Sequence, residues 1–228
     1  SLVCKKWNRI ISGLRLLNST KFRECFQNGQ IYWRSFQNKL SPSQRHSHSS
    51  IVIKNTMYVF GGLSATNTSY NDLWLLNLNN KEWSRANSTG TYPTPKAAAS
   101  LVAYKRDKFL LYGGYSHPYS YPFNQQVNFF DELHIYCTKT NIWTQLLFTQ
   151  DAPKLAGHSA SIINENQMLL FGGCNGSLGN KTNNIYCLNL ITNEWIYGLN
   201  TNENGNNNNC IHNAENYRKI DGFKPEPR

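Results

Sequence analysis

The residues best equipped for chemistry are the run Gly157-His158-Ser159-Ala160-Ser161, the pair His46 and His48, and the cysteines. The run is one residue short of a G-x-S-x-G nucleophile elbow, in which a sharp turn lifts a serine between a strand and a following helix. Ile162 and Ile163 continue this run as a strand instead, so the spacing predicts the start of a repeat unit, with His48 and His158 in equivalent places. His46 and His48 alternate along an extended segment, and two ligands so placed hold a metal only beside a third, which the sequence does not supply. Cys4, Cys25, Cys137, Cys174, Cys187 and Cys210 form no C-x-x-C pair and none sits at zinc-ligand spacing from a histidine. They are expected as buried or free thiols in a reducing compartment, cytoplasmic or nuclear. The expectation is a chain with no catalytic residue, no metal and no cofactor.

The elements that hold these residues change character along the chain. Val3, Trp7, Ile10, Leu14 and Leu17 recur at steps of three and four, which predicts one face of an amphipathic helix. A second short helix is expected from Ser19 to Gly29, burying Phe22, Cys25 and Phe26. From Ile31 the pattern becomes strands, and internal repetition takes over. Three apolar runs end in glycine pairs, at Gly61-Gly62, Gly113-Gly114 and Gly172-Gly173. Each is followed by a gap-free matching window that ends in a tryptophan, Trp83, Trp143 or Trp195. One unit reads as four strands: A over Ser49–Ile53, B over Met57–Phe60, C over Leu73–Leu78, and D through Trp83. Asn55, Asn79-Asn80 and Lys139-Thr140-Asn141 supply turn chemistry between them. A four-stranded sheet cannot bury both faces alone and must stack on its neighbours, so the predicted architecture is an all-β propeller. The glycine pair lets strand B approach the next unit without a Cβ, and the tryptophan is an apolar plate between units.

A formal net charge of +10 suggests nucleic acid until its distribution is read. Residues 1–45 hold nine Lys and Arg against Glu24 alone, while residues 46–228 hold fourteen against twelve acids. The repeat body is nearly neutral, and no nucleic-acid partner is expected. An aromatic content of 13% requires a packed core, and no apolar run approaches the roughly 18 residues of a membrane helix, so no membrane partner is expected either. The first seventeen residues lack a signal-peptide pattern because Lys5, Lys6, Arg9 and Arg15 interrupt them. The expected organisation is a helical segment over 1–30 and repeats over 31–198 (about 45–97, 98–156 and 157–198). An Asn-rich tail, expected to be disordered, follows over 199–228.

Loop length points to a binding face. In an up-and-down unit the B–C and D–A connections leave one end, and here these are the long ones, over 63–70, 115–130, 174–182 and 84–96. Binding residues collect on loops carried by a rigid scaffold. Tyr70, Tyr115, His117, Tyr119, Tyr121 and Phe123 put aromatic side chains there. Arg45, Lys96 and Lys154 precede successive A strands and are expected to ring that face with positive charge.

Ser47-His48-Ser49, the glycine pairs and the tryptophans at these spacings resemble kelch repeats. Ser1-Leu2-Val3-Cys4-Lys5-Lys6-Trp7-Asn8-Arg9-Ile10 resembles the C-terminal end of an F-box. Together they resemble the F-box/kelch proteins over about residues 1–198. That resemblance implies a non-catalytic substrate receptor of a Skp1–cullin–F-box ubiquitin ligase. Leu2, Val3, Trp7 and Ile10 would dock on the Skp1-type adaptor, and the propeller would hold the protein to be ubiquitinated. The alternative is a kelch scaffold or cytoskeletal adaptor outside ubiquitination, with a kelch-fold enzyme built from Tyr, Cys and His a distant third. Three repeats are fewer than the four to eight blades of a closed propeller, and an open arc leaves exposed sheet edges.

Overall fold

The structure, a computed structural model, describes residues 20–30, 40–118, 127–148, 150–176 and 180–197. Two compact units divide the chain, Ser1–Gln37 and Asn38–Arg228. In the first, residues 20–27 form an α-helix. Phe22 and Phe26 stack on each other at 6.4 Å, one turn apart. They are 65% and 67% exposed, so the expected burial of these rings is not observed. Their i, i+4 spacing gives each ring its own neighbour, and nothing else among the described residues covers them. The helix predicted over 3–17 and the tail over 199–228 lie outside the described residues. No described helix is long and apolar enough to cross a membrane.

The second unit is built from short strands. Blade one comprises β1 (Ser49–Ile53), β2 (Thr56–Phe60), β3 (Leu73–Asn77) and β4 (Trp83–Arg85). After β5 (Thr89–Gly90), blade two comprises β6 (Ser100–Tyr104) and β7 (Lys108–Tyr112). The small strands β8 (Tyr115–Ser116) and β9 (Asn128–Phe129) follow, then β10 (Leu133–Cys137) and β11 (Ile142–Leu146). Blade three comprises β12 (Ser159–Ile163) and β13 (Gln167–Phe171), the small strands β14 (Cys174–Asn175) and β15 (Asn180–Lys181), then β16 (Ile185–Asn189) and β17 (Glu194–Tyr197). Each blade is an antiparallel meander in chain order, so the predicted three-blade, all-β arc is what the chain forms. The C–D turns rest on a left-handed residue at Lys81, Asn141 and Asn193. In all three blades an asparagine supports the turn: the Asn77 side chain accepts from the Asn79 amide at 2.9 Å, the Tyr136 hydroxyl donates to Asn141 at 2.9 Å, and the Asn189 side chain accepts from the Ile191 amide at 2.9 Å.

The first strands converge, β1 against β6 and β6 against β12, so they form the inner edge of the arc. Between blades one and two, Ile53, Tyr58, Phe60 and Leu73 meet Phe109, Leu111, Tyr136 and Trp143. Between blades two and three, Tyr104, Leu110, Tyr112 and Leu133 meet Leu155, Met168, Leu170 and Trp195. Trp143 is the plate expected from the sequence, with ring centroids 4.7 Å from Tyr136 and 5.6 Å from Phe60 across the blade boundary. Gly113, at φ +68, marks the closest approach of two blades: a Cβ there would sit 2.4 Å from the Leu155 carbonyl oxygen.

One element was not foreseen. The linker over 84–96 reads as a loop, but β5 within it pairs in parallel with the outermost strand of blade two, Thr89 beside Ile142 and Gly90 beside Trp143. It covers an edge that would otherwise offer free amides and carbonyls to another chain.

Candidate functional site

Each B–C connection rises from the same end of the arc as a hairpin braced on the segment leading into strand A. In blade one, Leu63 bridges both His46 and Ser69. In blade two, Tyr115 bridges Ala97 and pairs with Phe129. In blade three, Cys174 bridges Ala156 and pairs with Lys181. The register is the same throughout, so the long loops do share one end and stand on rigid stems. Tyr115 lies 6.0 Å from the Phe129 ring and 5.6 Å, edge to face, from His117. Tyr70 is half-buried beside Arg45. Tyr119, Tyr121 and Phe123 lie outside the described residues.

Arg45 and Lys96 do not present their charges to solvent. Their side chains are 4% and 0% exposed. The Arg45 guanidinium donates to both Asp72 carboxylate oxygens, at 2.6 and 3.0 Å, and to the Gly61 carbonyl, while its flat face covers Tyr70 at 4.3 Å. The Trp74 indole N–H donates to the same carboxylate at 2.6 Å. Burial alone would raise the Asp72 carboxyl, but Arg45 and Trp74 outweigh it and hold the group below its usual range. In blade two the Lys96 ammonium donates to Glu132 at 2.7 Å, Thr94 adds a bond at 3.0 Å, and Lys96 lies 4.5 Å over Phe130. Burial likewise opposes ionisation of Glu132, and Lys96 and Thr94 overcome it. A charge ahead of a strand reads as exposed in sequence, yet here a carboxylate 27 or 36 residues away draws it inward. In blade three the equivalent of Arg45 is Leu155, not Lys154, and Asn184 replaces the acid. Lys154 is exposed, 3.9 Å from Asp131.

The face retains side chains that sequence reasoning passed over. Leu147 is 75% exposed and Tyr92 48% exposed, both in linkers that end on the hairpin side. Beside Leu147 opens a cleft of about 210 Å³ lined by Asp131, Glu132, Phe148, Gln150 and Asp151. The signal for this cleft was the sequence Leu147-Phe148 directly after an alternating strand, where a turn residue was due.

Two of the histidines, His134 and His158, serve packing. His158 Nε2 lies 2.8 Å from the Ser100 hydroxyl across the boundary between blades two and three, and a strand, not a helix, follows it. Burial depresses His158 to a pKa of about 4. His134, under Trp143, is also lowered to about 4, by burial first and by the Lys96 charge second. No group of three His, Cys, Asp or Glu side chains converges among the described residues, and Cys25, Cys137, Cys174 and Cys187 are free thiols.

Residues 45–205 match the family described as "FBX42, beta-propeller domain". The chain is 30% identical over 155 residues to Acyl-CoA-binding domain-containing protein 5 of Arabidopsis thaliana, covering 68% of this chain and 22% of that protein. It is 33% identical over 138 residues to Kelch domain-containing protein 1 of Mus musculus, covering 60% and 32%. It is 29% identical over 151 residues to Kelch domain-containing protein 3 of Rattus norvegicus, covering 64% and 37%. It thus spans between about a fifth and two fifths of the length of these relatives.

Proposed function

From the premise that the chain belongs to the FBX42 β-propeller family, with kelch-domain proteins among its relatives, we propose that it is the substrate receptor of a Skp1–cullin–F-box ubiquitin ligase. The hairpin face binds the target, and the N-terminal segment with Leu2, Val3, Trp7 and Ile10 binds the adaptor. The phrases Phe129-Phe130-Asp131-Glu132 and Tyr92-Pro93-Thr94-Pro95 support the finer likeness to Just one F-box and Kelch domain-containing protein. The observation that carries the binding role is the set of three braced hairpins on one end, with Tyr92, Tyr115, His117 and Leu147 around them. Rigid stems lower the entropy lost when a partner docks.

The mechanism is proximity. No bond breaks on this chain; holding a target beside a charged conjugating enzyme raises the effective concentration of its lysines. The work lies inside the cell, in cytoplasm or nucleus. Affinity capture of the protein, scored for Skp1 and cullin, tests the reading. Their recovery, lost when residues 1–17 are removed, supports it; a folded protein that captures neither refutes it. In that case the second reading holds, a kelch scaffold or cytoskeletal adaptor. It is favoured by the similar segment in a protein named for an acyl-CoA-binding domain.

A further inference from the structure

The end of the blades opposite the hairpins carries the A–B and C–D turns, and its charge is unevenly divided. The turns of blades one and two, each taken with the first residue of the next strand, hold Lys54, Lys81, Lys105, Arg106, Lys108 and Lys139 against Glu82 and Asp107. Those of blade three hold Glu165 and Glu194 and no cation. The near-neutral total of the repeat body thus conceals a segregation by end and by blade. At the hairpin end Arg45 and Lys96 are neutralised inside the blades, whereas here Lys54, Lys81, Lys105, Arg106 and Lys139 are exposed.

These turns are held in place. In every blade the C–D turn bonds the A–B turn: the Leu78 amide donates to the Asn55 carbonyl at 3.0 Å, Thr138 to Asp107 at 2.9 Å and Leu190 to Asn166 at 2.8 Å. Across the boundary of blades one and two, the Asp107 carboxylate pairs with Lys54 and, at 3.1 Å, with Lys139. One carboxylate thereby draws together cations from two blades and cancels the charge of one. Arg106 has no partner among the described residues, and the Lys105 ammonium lies 4.9 Å over the Tyr104 ring.

The backbone adds an independent observation. Lys54 and Lys105 each follow an A strand at φ +54, in the left-handed region, and at the same position blade three has Asn164 at φ +48. Asparagine enters that region readily and lysine does not. Lysine there destabilises the turn relative to the repeat's own asparagine, and an exposed ion pair such as Lys54 with Asp107 offsets little of the loss. What the two lysines supply instead is outward charge.

We propose that the short-turn end of blades one and two is a second docking surface, and that it binds an acidic segment of a partner protein. It stands apart from the hairpin face and does not depend on the ligase reading. Nucleic acid fits less well. The turns hold no aromatic side chain on which a base could stack, and the neighbouring ring of Tyr104 is buried beneath Lys105. An anionic membrane laid across the same end would meet Glu165 and Glu194 of blade three. A short acidic peptide can lie along the lysines and avoid both glutamates.

A fluorescent peptide of alternating glutamate and serine, titrated with the full chain and followed by anisotropy, tests this. Binding is expected, and raising the salt from about 50 to 200 mM should weaken it. Lys54→Asn with Lys105→Asn should weaken it about tenfold, the worth of two exposed ion pairs, while the unfolding midpoint holds or rises. Arg106→Gln, which breaks no contact, should weaken it about threefold and reports even where the double variant folds poorly. Lys21→Gln with Arg23→Gln removes the same charge from the first unit and should change nothing. A peptide that does not bind overturns the proposal, as does an equal loss in both double variants. So does tighter binding of a single-stranded oligonucleotide of equal charge, or of phosphatidylserine vesicles, through Lys54 and Lys105.

Discussion

The two buried histidines make this arc sensitive to mild acid. His134 and His158 ionise near pH 4 when folded, against about 6.5 when exposed, so the unfolded chain binds more protons throughout that interval. Stability is therefore full above about pH 6.5 and falls as the pH drops toward 4, by about 3 kcal/mol for each ring. Urea unfolding followed across that range checks the slope, and His158→Gln should flatten its share. Asp72→Ala is a sharper perturbation: it strands the Arg45 guanidinium, almost fully buried, and should cost about 3–5 kcal/mol. Lys54→Ala, by contrast, should shift the midpoint by less than about 1 kcal/mol, because Lys54 is exposed and Asp107 keeps Lys139 at 3.1 Å. The pairing of Arg45 with Asp72 and of Lys96 with Glu132 was open to detection without coordinates. Aligned by repeat, base and acid are present together in two blades and absent together from the third, where Leu155 faces Asn184.

Strands were the most legible elements, because an apolar run of four or five residues closed by two glycines leaves little freedom of register. In the first repeat strand A falls where polarity and turn residues put it, and B and C differ by one residue at a single end. β5 was illegible because two residues, Thr89 and Gly90, carry no period. The exposure of Phe22 and Phe26 was equally invisible: helical spacing marks an apolar face but not what covers it. The stacking of one blade on the next also sets what substitutions cost. Trp143→Ala empties the junction of blades one and two and should cost about 3–5 kcal/mol by thermal or urea unfolding. Trp83→Ala should cost clearly less, since its face is half open. Gly113→Ala should cost about 1–3 kcal/mol through left-handed strain, plus the displacement of Leu155.

For the molecule as a whole, the hairpin end and the junctions between blades are separate surfaces, so substitutions can tell them apart. Tyr92→Ala combined with Leu147→Asp should leave the unfolding midpoint within about 0.5 kcal/mol of the parent while weakening target capture at least tenfold. A loss of folding in that variant would show that the two side chains belong to the core. The loop stems were readable from the sequence because the B–C connections are long and lie at one end. The residues that face outward from them were not, since partners across a blade decide which charges turn inward. The stacking order also has a temporal consequence. Tyr58, Phe60 and Leu73 are covered by Trp143 and its neighbours, and Trp143 lies seventy residues beyond Leu73 in the chain. At roughly 5–20 residues per second of synthesis, blade one waits bare for about 4–14 seconds after it leaves the ribosome. Nascent chains halted after blade one should therefore recruit holding chaperones that chains halted after blade two release.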